Sequence, residues 1–197
     1  MPSILVKEFS AIATQSGTKK LTLIKNQKNK KPYHPSTDYY KGFREKIVTI
    51  FKHKQQLNEL TKLADKLSDD NKKNNYNILA KKFVLWANGK NISWHEPLRN
   101  IYLSNQTEII CNPELNVAID GKKHIIKLYF SVKEPMTRER ANYICYLMQS
   151  SIDINDVVYA VLDINTRKMF TFSGDLQIFS IAVESEIAWF ERAWQQL

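Results

Sequence analysis

At 197 residues, with 43% apolar and 11% aromatic side chains, the chain can fill one domain with a sizeable core and is too apolar to stay disordered. No apolar run approaches the roughly 20 residues of a membrane-spanning helix, and Lys7, Glu8 and Ser10 interrupt the first apolar residues, so we expect neither a membrane span nor a signal peptide and place the protein in the cytoplasm. The net charge of +9 is uneven: residues 1 to 100 carry 20 Lys+Arg against 8 Asp+Glu, and the remainder 9 against 12, which points the first half toward a polyanion, either nucleic acid or an acidic protein surface.

In chain order, residues 1 to 16 suggest one short strand or helix. Residues 19 to 37 hold six lysines and two prolines with little periodicity and read as a linker or mobile arm, so that 1–37 forms a basic N-terminal arm. Lys19, Lys20, Lys25, Lys28, Lys30 and Lys31 are its candidate phosphate contacts. From Ser36 or Thr37, apolar residues Tyr39, Tyr40, Phe43, Ile47, Ile50 and Phe51 recur at helical steps, and the same helix is expected to run on through Leu57, Leu60 and Leu63. A second helix from about Lys73 carries Ile78, Leu79, Phe83 and Trp86 and stops at Gly89. These helices make up a helical part over 38–97.

The texture then turns toward strands. Ile101 to Cys111 is rich in β-favouring residues, and Asn116 to Ile119 and His124 to Val132 flank Asp120-Gly121, a hairpin signal. Thr137 caps a helix bearing Ala141, Ile144, Leu147 and Met148. Val157 to Leu162 and Lys168 to Phe172 form a second hairpin about a turn at Asp163 to Thr166. From Leu176, with Ser173 or Asp175 as its cap, a final helix places Ile187, Phe190, Trp194 and Leu197 on one face, expected to close the core over the two hairpins. The expected fold is therefore α+β, with helices around a roughly four-stranded mixed sheet, the α+β core over 98–197 and one domain over 38–197. Cys111 and Cys145 fall in a strand and on a helix face, where they read as buried free thiols.

His34, His53, His95 and His124 form no zinc-ligand spacing, and no P-loop, dinucleotide fingerprint or serine-hydrolase elbow is present. No metal site or cofactor is expected from them. Tyr33, His34, Tyr39, Tyr40, Lys41 and Arg44 gather aromatic and basic groups near the start of the first long helix, a composition that can stack bases and hold phosphates.

The stretch Pro113-Glu114, Asp120-Gly121, Lys127 and Tyr129 resembles the core hairpin of the PD-(D/E)xK nuclease family, in which an acid after a proline begins one strand and an acid-x-lysine triplet lies on the next. The resemblance implies a nuclease-like scaffold in which two carboxylates hold Mg²⁺ and a lysine orients water. Pairing Pro113-Glu114 with the family's proline and acid puts Lys127 at the second acid and Tyr129 at the lysine; taking Lys127 as the lysine puts Ile125 at the acid. Either register breaks the triplet. Glu114, Asp120 and Lys127 remain the candidate catalytic residues, with Asp120 standing in from the turn. The leading expectation is a non-catalytic binding or assembly protein on this scaffold, contacting nucleic acid or a protein, with a phage, plasmid or defence system as its natural setting. The alternatives are an Mg-dependent nuclease and a small inhibitor or immunity-type protein that binds through the acidic C-terminal half.

Overall fold

The chain folds as Ser3–Leu5 (β1), Val6–Ala13 (α1), Gly17–Lys28 (α2), a short 3₁₀ turn at Pro35–Thr37, Lys41–Lys52 (α3), Glu59–Asp65 (α4) and Asp70–Ala87 (α5). Strands Ile92–His95 (β2), Asn100–Leu103 (β3), Glu108–Cys111 (β4), Leu115–Ile119 (β5) and Lys122–Tyr129 (β6) follow. Arg138–Ile152 (α6), Val158–Asp163 (β7), Lys168–Thr171 (β8) and Leu176–Gln196 (α7) complete it. This computed structural model describes residues 1–32, 34–104 and 106–197.

The architecture is α+β. Among the described residues the strands make two mixed sheets, a three-stranded one ordered β1-β4-β3 and a five-stranded one ordered β2-β5-β6-β7-β8. In the larger sheet, β6 and β7 are parallel and joined through α6, and every other neighbouring pair is antiparallel. From His124 to Tyr129 strand β6 is buried on both faces, so the sheet needs cover on both sides. One face sets Leu115, Val117, Ile126, Leu128 and Leu162 against Phe43, Ile47, Leu60, Leu79 and Phe83 of α3, α4 and α5. The other sets Ile125, Tyr129, Tyr159, Val161 and Phe170 in a core shared with α1, α6, α7 and the smaller sheet.

Local signals fix several boundaries. Thr137 accepts from the Arg140 amide at the start of α6, and Asp175 accepts from Gln177 and Ile178 at the start of α7. Asp120 and Gly121 both take positive φ in the β5–β6 turn, the conformation a two-residue hairpin loop requires.

Three expectations are corrected. The basic arm expected over 1–37 is folded structure from Ser3 to Lys28: Ile4, Phe9, Ile12 and Ile24 are buried, β1 pairs with β4, and α2 lies against α7. In α2 the Lys20 side chain is buried, with its ammonium 4.5 Å from the centre of the Trp189 ring. A lysine stem thus does the covering normally given to an apolar residue, which hides the helix from periodicity.

The helix beginning at α3 does not continue to Leu63. Lys54 adopts φ 51°, the Gln55 amide donates to the Ile50 carbonyl at 2.9 Å, and the Lys54 amide donates to Phe51, a capping turn that stops α3 and lets α4 pack separately.

The final helix turns Ile187, Phe190 and Ala193 inward, with Phe190 edge-on to Phe9 at 6.1 Å. It lies against α2, Phe9 of α1 and Tyr143 and Tyr146 of α6, in the same core cluster as Ile125, Tyr159 and Val161 of the hairpins. Trp194 is half-buried and Leu197 exposed, because the helix outruns the core at its C-terminal turn.

Candidate functional site

Glu114 opens the β5 side of the hairpin, and the pairing of Leu115 with Ile126 sets it opposite Lys127. Both side chains are nearly buried, with exposures of 12% and 7%. The Lys127 ammonium donates to Glu114 Oε1 at 2.8 Å, to the Asn112 carbonyl at 2.7 Å and to Asn112 Oδ1 at 2.8 Å. Its three N–H groups are thereby used, and none remains to orient a water. The other Glu114 oxygen accepts from the Leu128 amide at 2.7 Å, and Arg44 Nε lies 3.9 Å from Oε1.

These contacts put the Lys127 ammonium directly beside the Glu114 carboxylate. Glu114 and Lys127 form an internal ion pair. Mg²⁺ does not fit there: an ammonium occupies the space beside Glu114 in which a hard cation would need further oxygen ligands. Among the described residues no group of three or more His, Cys, Asp or Glu side chains is placed to hold a metal ion.

Asp120 does not join this centre. It lies six residues along β5, about 20 Å away at the strand rise of roughly 3.3 Å per residue, and its carboxylate accepts from the Asn91 amide. A shallow open concavity is lined by Asp120, Gly121, Lys122, Lys123 and Asp156, at the far end of the hairpin from Glu114 and Lys127.

The aromatic and basic cluster does reach the Glu114 end. Arg44 bonds Asp38 at 2.6 Å while approaching Glu114, Tyr40 stacks on Phe130 with ring centres 5.1 Å apart, and Lys41 lies 3.7 Å from Glu45. Tyr39 is exposed, with the Lys72 ammonium 5.3 Å from its ring centre. Tyr33 lies outside the described residues. The basic residues of α2 and beyond divide: Lys20 pairs with Glu186, Lys30 with Glu8, and Lys28 donates to the Trp194 carbonyl at 2.8 Å, whereas Lys19, Lys25 and Lys31 are exposed.

The local spacing of residues gave no sign of the cluster that Lys7, Tyr129, Arg140 and Asp163 form. Lys7 and Arg140 both lie against the Tyr129 ring, 6.0 and 5.4 Å from its centre, and Arg140 donates to the Tyr129 hydroxyl at 3.2 Å. Asp163 pairs in register with Tyr129 on the neighbouring parallel strand, at the carboxyl ends of β6 and β7, where open α/β sheets commonly place ligands. Only a helix far away in sequence brings Lys7 to this end, so no local spacing could have revealed it. No family model matches the chain, and no curated protein or solved structure matches it.

Proposed function

We propose that this protein is a non-catalytic binding protein of the cytoplasm, built on a nuclease-like scaffold and contacting single-stranded nucleic acid through the Glu114 end of its larger sheet. The observation that carries the reading is the Lys127 ammonium seated on Glu114 where a metal-binding pair of carboxylates would have to be. The order of elements gives support: hairpin β5–β6, helix α6, hairpin β7–β8 and final helix α7 follow the sequence that the resemblance implies. Tyr39 supplies an exposed ring with a cation beside it, the pairing that holds an unstacked base and its phosphate. The two free, buried thiols agree with a reducing compartment.

Incubation with Mg²⁺ or Mn²⁺ and labelled DNA or RNA is expected to leave the substrates uncut; reproducible cleavage abolished by Glu114→Ala would overturn the reading. In the same preparation an oligonucleotide should bind at about 50 mM salt and weaken steeply with added salt. Tyr39→Ala should reduce that affinity by about 1–3 kcal/mol, the worth of one stacked base.

A protein partner is the second reading. It is favoured by Ile178 and Ile181, 69% and 64% exposed and three residues apart on α7. Replacement of both by Ser should leave oligonucleotide binding unchanged and abolish capture of that partner if this reading is right.

A further inference from the structure

The C-terminal ends of α3 and α5 meet the start of β2 around a cavity of about 190 Å³ that opens to solvent. Ile50, Phe51, Leu57, Ala87 and Ile92 form its walls, and Phe51 is held edge-on to Phe83 with ring centres 5.9 Å apart. An apolar cavity of roughly 150 Å³ already accepts benzene, so this one has room for a single ring and a short polar tail. The remaining lining groups are Lys54, Gln55 and Lys90.

The carboxylates of the bounding elements do not neutralise these two lysines. Glu59 is engaged by Lys46 and Lys62, Glu96 by Lys52 and Glu45 by Lys41, and the Asp120 carboxylate accepts from the Asn91 amide. Asp65 stands at the far end of α4, and Asp69 and Asp70 begin α5, about 25 Å from Ala87 at a helical rise of roughly 1.5 Å per residue. Lys54 is exposed, and Lys90 donates to the Trp86 carbonyl with its ammonium 5.4 Å from the centre of that ring; neither joins the ion pairs of the described residues. The two helix C-termini bring about half a negative charge each against two full lysine charges, so the mouth keeps a positive balance. Their end carbonyls are also occupied: Ile50 accepts from the Gln55 amide at 2.9 Å, Phe51 from Lys54 at 3.3 Å, Val84 from Asn88 at 2.9 Å and Ala87 from Lys90 at 3.2 Å.

We infer that this cavity binds a small aromatic carboxylate, whose ring fills the space between Phe51, Leu57, Ala87 and Ile92 and whose carboxylate pairs with the Lys54 ammonium, Lys90 adding positive charge beside it. The apolar walls supply affinity, and the lysine selects the acid over a neutral ring of the same shape. The same chemistry occurs in a free aromatic acid and at the carboxyl end of a peptide that finishes in an aromatic residue. The site is independent of the proposed function: Ile92 pairs with Ile119, at the opposite end of β5 from Glu114.

The test is a methyl NMR titration of the full chain with phenylacetate, and with phenylacetamide as the neutral ring of the same shape. Saturable shifts are expected at the methyl groups of Ile50, Leu57, Ala87 and Ile92, with the acid bound about tenfold more tightly than the amide, as for one hydrogen bond to a charged group. Lys54→Gly suits the left-handed backbone there, so the fold should survive, as circular dichroism would show. It should weaken the acid about tenfold and leave the amide unchanged, while Lys54→Arg keeps the acid. Lys168→Ala, on β8 at the other edge of the five-stranded sheet, should change neither. A short peptide ending in phenylalanine separates the two sources: tighter binding than phenylacetate assigns a peptide terminus and weaker binding a free acid, and both support the site. Absence of saturable binding, shifts confined to other methyl groups, or acid binding indifferent to Lys54→Gly would overturn the inference, and none of these bears on oligonucleotide binding.

Discussion

Removing the Lys127 ammonium leaves the Glu114 carboxylate nearly buried with its closest countercharge gone, and breaking a buried pair by deleting one partner costs about 3–5 kcal/mol. Lys127→Met should therefore lower the free energy of unfolding by most of that amount, whereas replacing Lys127 and Glu114 together by apolar residues should cost much less than the two single changes summed. A double-mutant cycle by chemical denaturation reads this directly; additive effects would mean that the pair is not coupled. The thiols give a second residue-scale expectation. Burial pushes Cys111 up to about 11 and Cys145 to about 12 from an ordinary 9.0, so the folded protein keeps protons that the unfolded chain releases. Their contribution to stability is fully present below pH 9.0 and is lost as pH rises toward 11 and 12. Both thiols should resist a thiol reagent at about pH 8 until denaturant is added, since the thiolate is the reactive form.

Two elements carry their own predictions. The α3 terminus holds Lys54 in the left-handed region that glycine adopts without penalty, so Lys54→Gly should raise stability by a few tenths to about 1 kcal/mol, measured by thermal and urea denaturation. On α7, Phe190 is fully buried against Phe9 while Trp194 is only half-buried, so the larger loss belongs to the smaller ring. Phe190→Ala should cost about 3–5 kcal/mol and Trp194→Ala clearly less. Equal losses would show that the C-terminal turn of α7 is packed as tightly as its middle.

At the scale of the molecule, the first 28 residues decide whether the second face of the five-stranded sheet is covered. Ile4, Val6, Phe9, Ile12 and Ile24 are buried in the same cluster as Ile125, Tyr159 and Val161, and Ile4 pairs beside Ile109 through β1 and β4. Deletion of residues 1–28 should abolish cooperative unfolding, seen as loss of a sigmoidal urea transition. A truncated chain that kept the parent midpoint would restore the arm reading.

Local chemistry alone determined much of this protein. The period of two in β5, the Asp120-Gly121 turn, the Thr137 and Asp175 caps and the helical spacing of Phe43, Ile47 and Ile50 each depend on residues a few positions apart, and each element formed where its pattern lay. Composition likewise indicated that no helix could cross a membrane, and among the described residues none is long and apolar enough to do so. Tertiary structure decided the rest, because the deciding contacts join distant residues. Cross-strand register chose Lys127 over Ile125 as the partner of Glu114, and the length of β5 carried Asp120 away from both. Packing against Trp189 and Glu186 turned a lysine-rich stretch into a docked helix, and a lysine forced into a left-handed turn split one expected helix into two. Neither event has a periodic signature, since a buried lysine stem and a strained cap are stabilised by what surrounds them and not by their own propensity.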